Sequence, residues 1–357
     1  MTVNSSPSGT VSPTPDKGKK IRVFSVPWHQ AHQTELLKID WIDWTYCINH
    51  VRKFDKRTRP IPKHLKWVPY YEKGKYDLAI LHVDQQCLIP RLGKTKLFKD
   101  LMSQVTDIPV IVVNHGTPVY PEMFMQMCVE DGYPANEDSA LKWARDKMFH
   151  LMKEYPNIVA TVVNSNEAKE QWGGGEVIIH GMDKEDWWDK EKDPRIATFI
   201  SAAGIGDKYY GRNLFQETRD ILKEKYGMET IWIAQDALFN SFDEYRDFMS
   251  RTLVYFNPTL ASPMPRTRTE AMFSGSCLVT TRHQDADKFI EHGVNGYICK
   301  DNPEDAAEKI AYALEHYKES IAIGQRGKET ALKIFSGERF RNDWKNLVEK
   351  VLKTNIQ

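Results

Sequence analysis

The sequence predicts an α/β protein with two domains, each built on a mostly parallel β-sheet with helices on both faces. Short β-branched runs bounded by turn residues alternate with helical stretches from Ile21 onward, which is the pattern of a doubly wound sheet. The alternation restarts after a charged, tryptophan-containing segment at 181–194, so a second domain is expected there. With 357 residues, of which 41% are hydrophobic, the chain is long enough to bury two cores.

The first domain is predicted to span residues 21–184. Its strands are expected where apolar and β-branched residues run together, at 21–26, 43–48, 77–83, 109–115, 159–164 and 176–180. Helices are expected between them, through "HQTELLKI" and at 95–106, 137–154 and 166–172. The glycines of "WGGGE" (172–176) follow a helix and precede a strand, which is the reverse of a phosphate-cradling loop, so they predict a turn.

The second domain is predicted to span residues 185–336. Its expected strands lie at 195–201, 230–235, 253–257 and 277–281, and its expected helices at 212–225, 242–250, 268–274 and 286–292. A further helix should begin with Asn302 as its cap and Pro303 at its first position.

The last segment, 337–357, is predicted to form an amphipathic helix. Six apolar residues share one face of it: Phe340, Trp344, Leu347, Val348, Val351 and Leu352. Such a helix can pack on its own domain or cross back to bridge the two domains, and the pattern leaves both arrangements open.

Composition restricts the classes of function. The formal net charge is zero, which argues against a protein that coats nucleic acid or membranes in general but leaves room for a local basic groove. Five cysteines without CxxC spacing predict free, buried thiols in a reducing compartment. Residues 1–20 predict a disordered tail, and no apolar run reaches the ~18 residues that span a bilayer, so we expect a soluble, cytoplasmic protein.

The stretch "NPTLASPMPRTRTEAMFSGSCLVTTRH" (257–283) has two interpretations. Thr267 and Glu270 have the spacing of a capping box, which needs no ligand. Alternatively, the loop follows a parallel strand at the edge where such sheets bind ligands, and the helix start could hold a phosphate. Arg266 and Arg268 would then add charged donors, and Glu270 would accept hydrogen bonds from ribose hydroxyls.

Several motifs, in the right order, resemble GT-B glycosyltransferases, in particular the retaining family 4 type. The stretch "SPMPRTRTEAMFSGSCLVTT" resembles the donor-binding segment of that family. Other resembling segments are "VIVVNHG" (110–116), "VVNSNEAKEQW" (162–172), "VIIHGMD" (177–183), "EHGVNGYI" (291–298) and "FSGERFRNDWKNL" (335–347). The resemblance covers about 21–353 and implies two Rossmann-like αβα domains that face each other across a cleft, with the C-terminal helix crossing back to the N-domain.

The resemblance implies a glycosyltransferase that moves a sugar from a nucleotide-diphosphate donor to an acceptor hydroxyl, with retention and with neither metal nor cofactor. It places Glu270 on the ribose and His115 on the donor sugar as the residues nearest the chemistry. The donor-binding set that it implies is Lys208, Arg212, Ser262, Arg266, Arg268 and Thr269. The expected acceptor-side residues are His29, His32 and Asp84, and the acceptor could be a glycan, a small molecule or a modified nucleic-acid base.

Three departures from the family pattern keep other functions open. Ser262 stands where the family has the first glutamate of its Glu-x7-Glu pair. The segment "SAAGIGDKYYGRNL" (201–214) replaces the family's phosphate-gripping "GRL…KG", and the first strand–helix loop carries His29 and His32 in place of a glycine pair. The alternatives are a non-catalytic sugar-nucleotide-binding partner protein and a GT-B nucleotide-sugar epimerase or hydrolase.

The acceptor-side residues also have simpler interpretations. His29, His32 and Glu35 have a spacing that could serve a metal, but on a helix His29 and Glu35 diverge, so capping, packing or acceptor contacts are favoured. Asp84 follows a strand and could act as a general base or simply cap a turn.

Overall fold

The computed structural model describes residues 20–119, 121–200, 209–234, 239–354 and 356. The predicted disordered tail lies outside this part of the chain except for Lys20, and the predicted donor-binding residue Lys208 lies outside it as well.

The first domain contains a seven-stranded, all-parallel sheet in the order β3-β2-β1-β4-β5-β6-β7. Its strands are β1 (Ile21–Ser25), β2 (Ile42–Cys47), β3 (Lys66–Val68), β4 (Leu78–Val83), β5 (Val110–Asn114), β6 (Ile158–Val163) and β7 (Glu176–Val177). Its helices are α1 (Gln30–Leu36), α2 (Gly93–Gln104), α3 (Pro121–Glu130), α4 (Glu137–Lys153) and α5 (Asn166–Trp172). Every residue of β4 and β5 is buried, as expected for central strands covered on both faces.

The second domain contains a five-stranded parallel sheet in the order β12-β11-β10-β8-β9. Its strands are β8 (Asp193–Ile200), β9 (Thr230–Ala234), β10 (Thr252–Asn257), β11 (Cys277–Thr281) and β12 (Tyr297–Cys299). Its helices are α6 (Arg212–Tyr226), α7 (Phe242–Arg251), α8 (Arg266–Phe273), α9 (Ala286–Phe289), α10 (Pro303–Glu315) and α11 (Tyr317–Ile334).

The last helix, α12 (Gly337–Leu352), crosses back to the first domain. Phe340, Trp344, Leu347 and Val348 are buried in the same apolar cluster as Val23 and Ile80 of the first sheet. Burying each of these large side chains contributes about 1.5–3 kcal/mol, so α12 fastens the two domains together. The bridging arrangement is therefore confirmed, and with it the predicted fold of two Rossmann-like domains facing across a cleft.

Several local predictions are also confirmed. Asn302 caps α10 by accepting a hydrogen bond from the Asp305 amide at 2.8 Å, with Pro303 at the first helical position. The glycine-rich segment after α5 is a turn, since Gly173 and Gly175 have φ of +76° and +111°. All five cysteines are free and buried. Among the described residues, none of the helices is long and apolar enough to cross a membrane.

Candidate functional site

The carboxyl ends of the two sheets face each other, and the loops that follow the strands meet there. The Thr117 hydroxyl, after β5, donates to the Ala261 carbonyl, after β10, at 2.7 Å. The Ser165 hydroxyl, after β6, donates to the side-chain oxygen of Gln284, after β11, at 2.9 Å. Ligands of open parallel sheets bind outside the carboxyl ends of the strands, so this cleft is the candidate site.

One edge of the cleft is held by Asp285, which accepts hydrogen bonds from the first turn of α5 in the other domain. Its carboxylate receives the amides of Asn166 and Glu167 at 2.7 and 3.1 Å, while the Gln284 amide donates to Glu167 at 2.6 Å. Burial alone would raise the pKa of Asp285, but Lys288 and the two amides lower it overall. An anionic side chain at a helix N-terminus stabilises this domain contact.

The loop after β10 rests on the segment that leads into α6. The Tyr209 carbonyl accepts hydrogen bonds from the amides of Ala261 and Ser262 at 3.0 and 3.1 Å. Gly211, with φ of +71°, lies so close to Pro258 that a Cβ atom there would be 1.9 Å from the Pro258 carbonyl oxygen. Ser262 is buried by these contacts.

Two helix N-termini meet on this loop. Gly211 immediately precedes Arg212, the first residue of α6, and contacts one end of the loop, while Pro265 at the other end precedes α8. The positive ends of both helices therefore lie beside residues 258–265, which favours an anion there. Pro263 and Pro265 have no N–H groups, and the amides of Ala261 and Ser262 already donate to Tyr209, so the loop backbone itself offers few donors.

We expect Gly211→Ala to damage both the fold and the site. An alanine at this φ costs about 1 kcal/mol in strain, and the clash with Pro258 adds to that cost. Gly227→Ala is the matched control, because Gly227 has φ of +66° and a Cβ atom added there would meet nothing within 4 Å. Urea unfolding should show a clearly larger loss of stability for Gly211→Ala. Equal losses would mean that the close approach to Pro258 is unimportant.

Glu270 lies inside α8 and points to neighbouring side chains. Its helix begins at Arg266 after Pro265, without a side-chain cap, so the capping-box interpretation of Thr267 and Glu270 is wrong. Proline fits a helix start, and it places the first turn earlier than the Thr267 signal suggests. The Glu270 carboxylate accepts hydrogen bonds from the Arg59 guanidinium, the Tyr245 hydroxyl and Arg266 Nε, the last at 3.2 Å.

Arg59 reaches this carboxylate from the first domain, and sequence reasoning missed it. Its side chain is only 8% exposed. The guanidinium carbon lies 4.5 Å from the Phe242 ring centroid and 5.3 Å from that of Tyr245, so aromatic faces surround the cation. Burial alone would lower the pKa of Arg59, but Glu270 and Tyr245 raise it overall, so the residue stays charged. Arg59 and Glu270 form a buried ion pair across the cleft.

A chain of charges continues from this pair along the cleft. Arg266 donates to Glu35 of α1 at 2.7 Å, and the Lys38 ammonium lies 2.7 Å from Glu35 and 3.3 Å from Asp183. Lys38 also pairs with Asp186. Within the described part of the chain, Glu35, Asp183 and Asp186 are the acids close enough to share a metal ion, and the lysine ammonium already lies among them.

Two predicted donor-binding residues face away from the open cleft. Arg268 is fully buried and donates to the carbonyls of His283 and Gln284 at 2.9 and 2.7 Å. The Thr269 hydroxyl lies 2.9 Å from His180 Nε2 in the interdomain segment. These contacts show Arg268 supporting the turn after β11 and Thr269 supporting the linker. Their direct binding to a donor stays a prediction.

Four histidines form a cluster on the first-domain side of the cleft. His82 Nδ1 and His115 Nε2 are 2.9 Å apart. The His29 ring stacks on His115 with centroids 5.1 Å apart, and His32 meets His115 edge-on at 4.9 Å. His29 also caps α1, since its Nδ1 accepts the His32 amide at 3.3 Å. The fold thus brings together the three predicted histidines and adds His82, which no sequence motif had singled out.

The buried rings of this cluster are neutral at physiological pH. Burial lowers the pKa of His82 to about 3, with a smaller contribution from His29. Burial, together with neighbouring histidines, also places the pKa values of His32 and His115 well below their usual range. Neutral imidazoles can each donate one hydrogen bond and accept another, which suits them to bind hydroxyl groups.

These pKa shifts predict a loss of stability in mild acid. Below pH 6.5 the unfolded chain takes up protons on these histidines while the folded chain does not, so the free energy of unfolding falls as pH falls. His82 alone, with a folded pKa of about 3, should contribute about 2 kcal/mol of loss between pH 7 and pH 5. Urea unfolding at pH 7 and pH 5 measures this. His82→Asn should reduce the difference, whereas His64→Asn, at an exposed position, should leave it unchanged. Equal stability at both pH values would contradict the assignment.

Asp84 caps a short 3-10 turn, Gln85–Leu88, by accepting the Gln86 amide at 2.9 Å. Its other carboxylate oxygen pairs with Lys94, whose ammonium lies 5.3 Å from the centroid of the Trp28 ring. The turn-cap interpretation is therefore confirmed. A role as a general base stays a prediction, and it would require Asp84 to separate from Lys94.

Residues 219–330, which contain the loop after β10 and Glu270, match the family model described as Glycosyl transferases group 1. No match was found among curated protein sequences.

Solved structures with the same architecture include Anabaena Alr3699/HepE in complex with UDP-glucose. It has 14% sequence identity and a TM-score of 0.61 and covers 92% of this chain and 100% of its own. Sucrose-phosphate synthase from Thermosynechococcus elongatus has 11% identity and a TM-score of 0.63, covering 94% and 100%. A glycosyltransferase from Rickettsia africae has 12% identity and a TM-score of 0.54, covering 94% and 99%. The predicted resemblance to GT-B glycosyltransferases is confirmed, while the closer resemblance to the retaining family 4 type stays a prediction.

Proposed function

We propose that this protein is a glycosyltransferase that moves a sugar from a nucleoside-diphosphate sugar to an acceptor hydroxyl. The observation that carries the proposal is the arrangement at the carboxyl end of β10. The loop 258–265 lies beside the N-termini of α6 and α8 there and leads into Arg266 and Glu270. Residues 219–330, which include this loop and both side chains, match the family model. A carboxylate can bind ribose hydroxyls, while helix ends and an arginine can bind a diphosphate. The HepE complexes with UDP and UDP-glucose support this class of donor.

The proposed assignments follow the two sides of the cleft. Glu270 binds the ribose, and the first turns of α6 and α8, with Arg212, Arg266 and Lys208, bind the diphosphate. The neutral imidazole of His115 contacts the donor sugar, and His29 and His32 lie toward the acceptor. A donor must displace Arg59 from at least one oxygen of Glu270, because the arginine contacts that carboxylate directly.

In the proposed reaction, the acceptor oxygen forms a bond to the anomeric carbon as the bond from that carbon to the diphosphate oxygen breaks. The leaving group departs with the bonding electron pair, and the acceptor proton is transferred to a phosphate oxygen. Both events occur on the same face of the sugar, so the anomeric configuration is retained. Fixed cations and N–H groups stabilise the charge that develops on the diphosphate, and no metal is required.

A sugar-nucleotide-binding protein without catalysis is the second candidate. Two observations favour it: Ser262 stands where the resembling enzymes have a glutamate, and Glu270 is already occupied by Arg59. The epimerase or hydrolase alternative needs a carboxylate that expels the nucleotide or directs water. Asp84, already considered as a general base, is one candidate for this role, and it is paired with Lys94.

The test is to incubate the protein, without added metal, with UDP-, GDP- and ADP-sugars and to follow release of the nucleoside diphosphate. Acceptor mixtures are added in parallel, and thermal unfolding is recorded for each donor. We expect release from one donor class, faster with acceptor and lost in Glu270→Gln. Addition of EDTA should leave the rate unchanged.

Three results would contradict parts of the proposal. A donor-dependent rise in unfolding temperature without release would favour the binding-protein alternative. Release that acceptors never accelerate would favour a hydrolase. Inversion of the anomeric carbon in the product, seen by NMR, would exclude retention.

A further inference from the structure

A basic segment lies beside the cleft in the first domain. Residues 50–66, which connect β2 to the first residue of β3 and are called here the basic loop, contain seven lysines and arginines but a single acid, Asp55. The whole chain has no net charge, so this excess of positive charge is confined to the loop and is not a general property of the protein. Most of the cationic side chains are exposed: Arg52, Lys53, Lys56, Arg57, Lys63 and Lys66.

The basic loop is anchored at the cleft. Gln30, the first residue of α1, donates to the carbonyls of Asp55 and Arg59 at 2.8 and 3.1 Å and accepts the Asp55 amide at 2.8 Å. Gln30 directly follows His29 of the histidine cluster, and Arg59 enters the second domain to reach Glu270. The exposed cations are therefore held next to the acceptor side of the proposed site.

Most of this charge has no acidic partner. Arg57 pairs with Asp55 at 2.7 Å, and Lys66 pairs with Asp43. Across the residues that the structure describes, the ion pairs include none formed by Arg52, Lys53, Lys56 or Lys63. A row of exposed, uncompensated cations raises the local concentration of a polyanion and binds its phosphates.

Two exposed aromatic side chains follow the basic loop. Trp67 is 40% exposed and Tyr70 is 61% exposed. Trp67 is fixed by edge-on contacts with Tyr46 and Phe54, at centroid distances of 5.9 and 6.0 Å, which leave part of the indole open to solvent. Cations that follow a backbone and aromatic rings on which bases stack are the two parts of a surface that binds single-stranded nucleic acid.

We propose that the basic loop, with Trp67 and Tyr70, binds a single-stranded nucleic acid and that this polymer carries the acceptor hydroxyl into the cleft. The inference rests on the proposed function, whose acceptor it specifies. An anionic membrane would also attract the cations, but interfacial binding uses a continuous apolar face. The exposed apolar residues near the basic loop are Ile48, Trp67 and Tyr70. In sequence the loop separates Ile48 from Trp67 and Tyr70, so the three do not form one continuous apolar segment.

Binding of fluorescein-labelled, mixed-sequence 20-nucleotide single-stranded DNA and RNA, followed by fluorescence anisotropy, tests the inference. Lys53→Glu/Lys56→Glu is compared with Lys318→Glu/Lys333→Glu, which makes the same change of charge at exposed positions of α11. With three phosphate contacts, affinity should fall about tenfold to twentyfold between 50 and 200 mM salt. The loop variant should weaken binding at least tenfold and the α11 variant less than threefold. Tyr70→Ala should weaken binding without changing the salt dependence, because it removes stacking and no charge.

Several outcomes would overturn the inference. These are no binding by the wild-type protein, equal losses in both double variants, or loop-dependent binding to phosphatidylglycerol vesicles without binding to oligonucleotides. Thermal unfolding of each variant identifies loss of fold, and Tyr70→Ala still tests the surface if the charge variant is unstable. Donor binding by the wild-type protein is measured separately with UDP-glucose. Failure of oligonucleotide binding alone therefore contradicts this inference, whereas failure of donor binding contradicts the proposed function.

Discussion

Replacing Glu270 by alanine is expected to reduce both the stability of the protein and its affinity for the donor. The substitution leaves the Arg59 guanidinium buried without its carboxylate, and breaking a buried pair in this way costs about 3–5 kcal/mol. It also removes the acceptor of the proposed ribose hydrogen bonds. Hydrogen bonds to a charged group contribute about 1.5–3 kcal/mol, so donor affinity should fall about tenfold to 150-fold.

Urea unfolding measures the first effect, and titration with the donor at a temperature where the variant is folded measures the second. Glu270→Gln keeps the side-chain shape and isolates the loss of charge. Glu308→Gln is a control on the exposed face of α10, where little change is expected in either measurement. Loss of stability with unchanged donor affinity would show that Glu270 is structural only.

Replacing Arg59 by alanine is expected to lower stability but to tighten donor binding. The variant leaves Glu270 with Tyr245 and Arg266 but removes the buried cation and its packing against Phe242, at a cost of about 3–5 kcal/mol. Since Arg59 occupies the carboxylate that the ribose would use, its removal should lower the Kd for the donor. Loss of Glu270 should weaken both stability and donor binding, so this combination of effects distinguishes the role of Arg59 from that of Glu270.

The matched control for this prediction is Arg57→Ala, two residues away in the same loop. Arg57 is exposed and pairs with Asp55 at the surface, so stability and donor affinity should both stay near their wild-type values. A Kd that rises severalfold in Arg59→Ala, with Arg57→Ala unchanged, would mean that Arg59 itself binds the donor.

The strands of the fold were largely predictable because a parallel sheet buried on both faces requires apolar, β-branched runs. Predicted strands such as 277–281 coincide with the structure. The predicted strand 176–180 was too long, since only Glu176 and Val177 pair with β6 before the chain enters the linker. Four elements were not predicted: β3 and β12 are each only three residues long, and α3 and α11 lacked recognised start signals.

Helix α11 shows why the local sequence pattern alone was insufficient to predict every helix. It contains Gly324 and Gly327, which weaken a helix assignment in isolation. In the structure a Cβ atom on Gly324 would lie 2.3 Å from the Gly275 carbonyl oxygen, and one on Gly327 would lie 2.8 Å from that of Asn295. These glycines permit close packing against the turns before β11 and β12, which is a tertiary requirement.

The site was predictable where it depended on strand ends and not where it depended on contacts between distant residues. The positions of His115 and of the loop after β10 followed from the order of strands. Arg59 could not be found this way, because it is 211 residues from Glu270 in sequence and lies in a loop without periodicity. The inward orientation of Arg268 likewise depends on the turn after β11 that it supports.

The proposed function requires that the cleft around Glu270 binds a nucleoside-diphosphate sugar. Isothermal titration of the wild-type protein, Glu270→Gln and Glu308→Gln with UDP and UDP-glucose, without added metal, tests it most directly. We expect the wild-type protein and Glu308→Gln to bind with the same Kd, and Glu270→Gln to bind with a Kd at least about tenfold higher. If these ligands and the corresponding GDP and ADP compounds all fail to bind the wild-type protein, or if all three proteins bind with one Kd, the claim is contradicted.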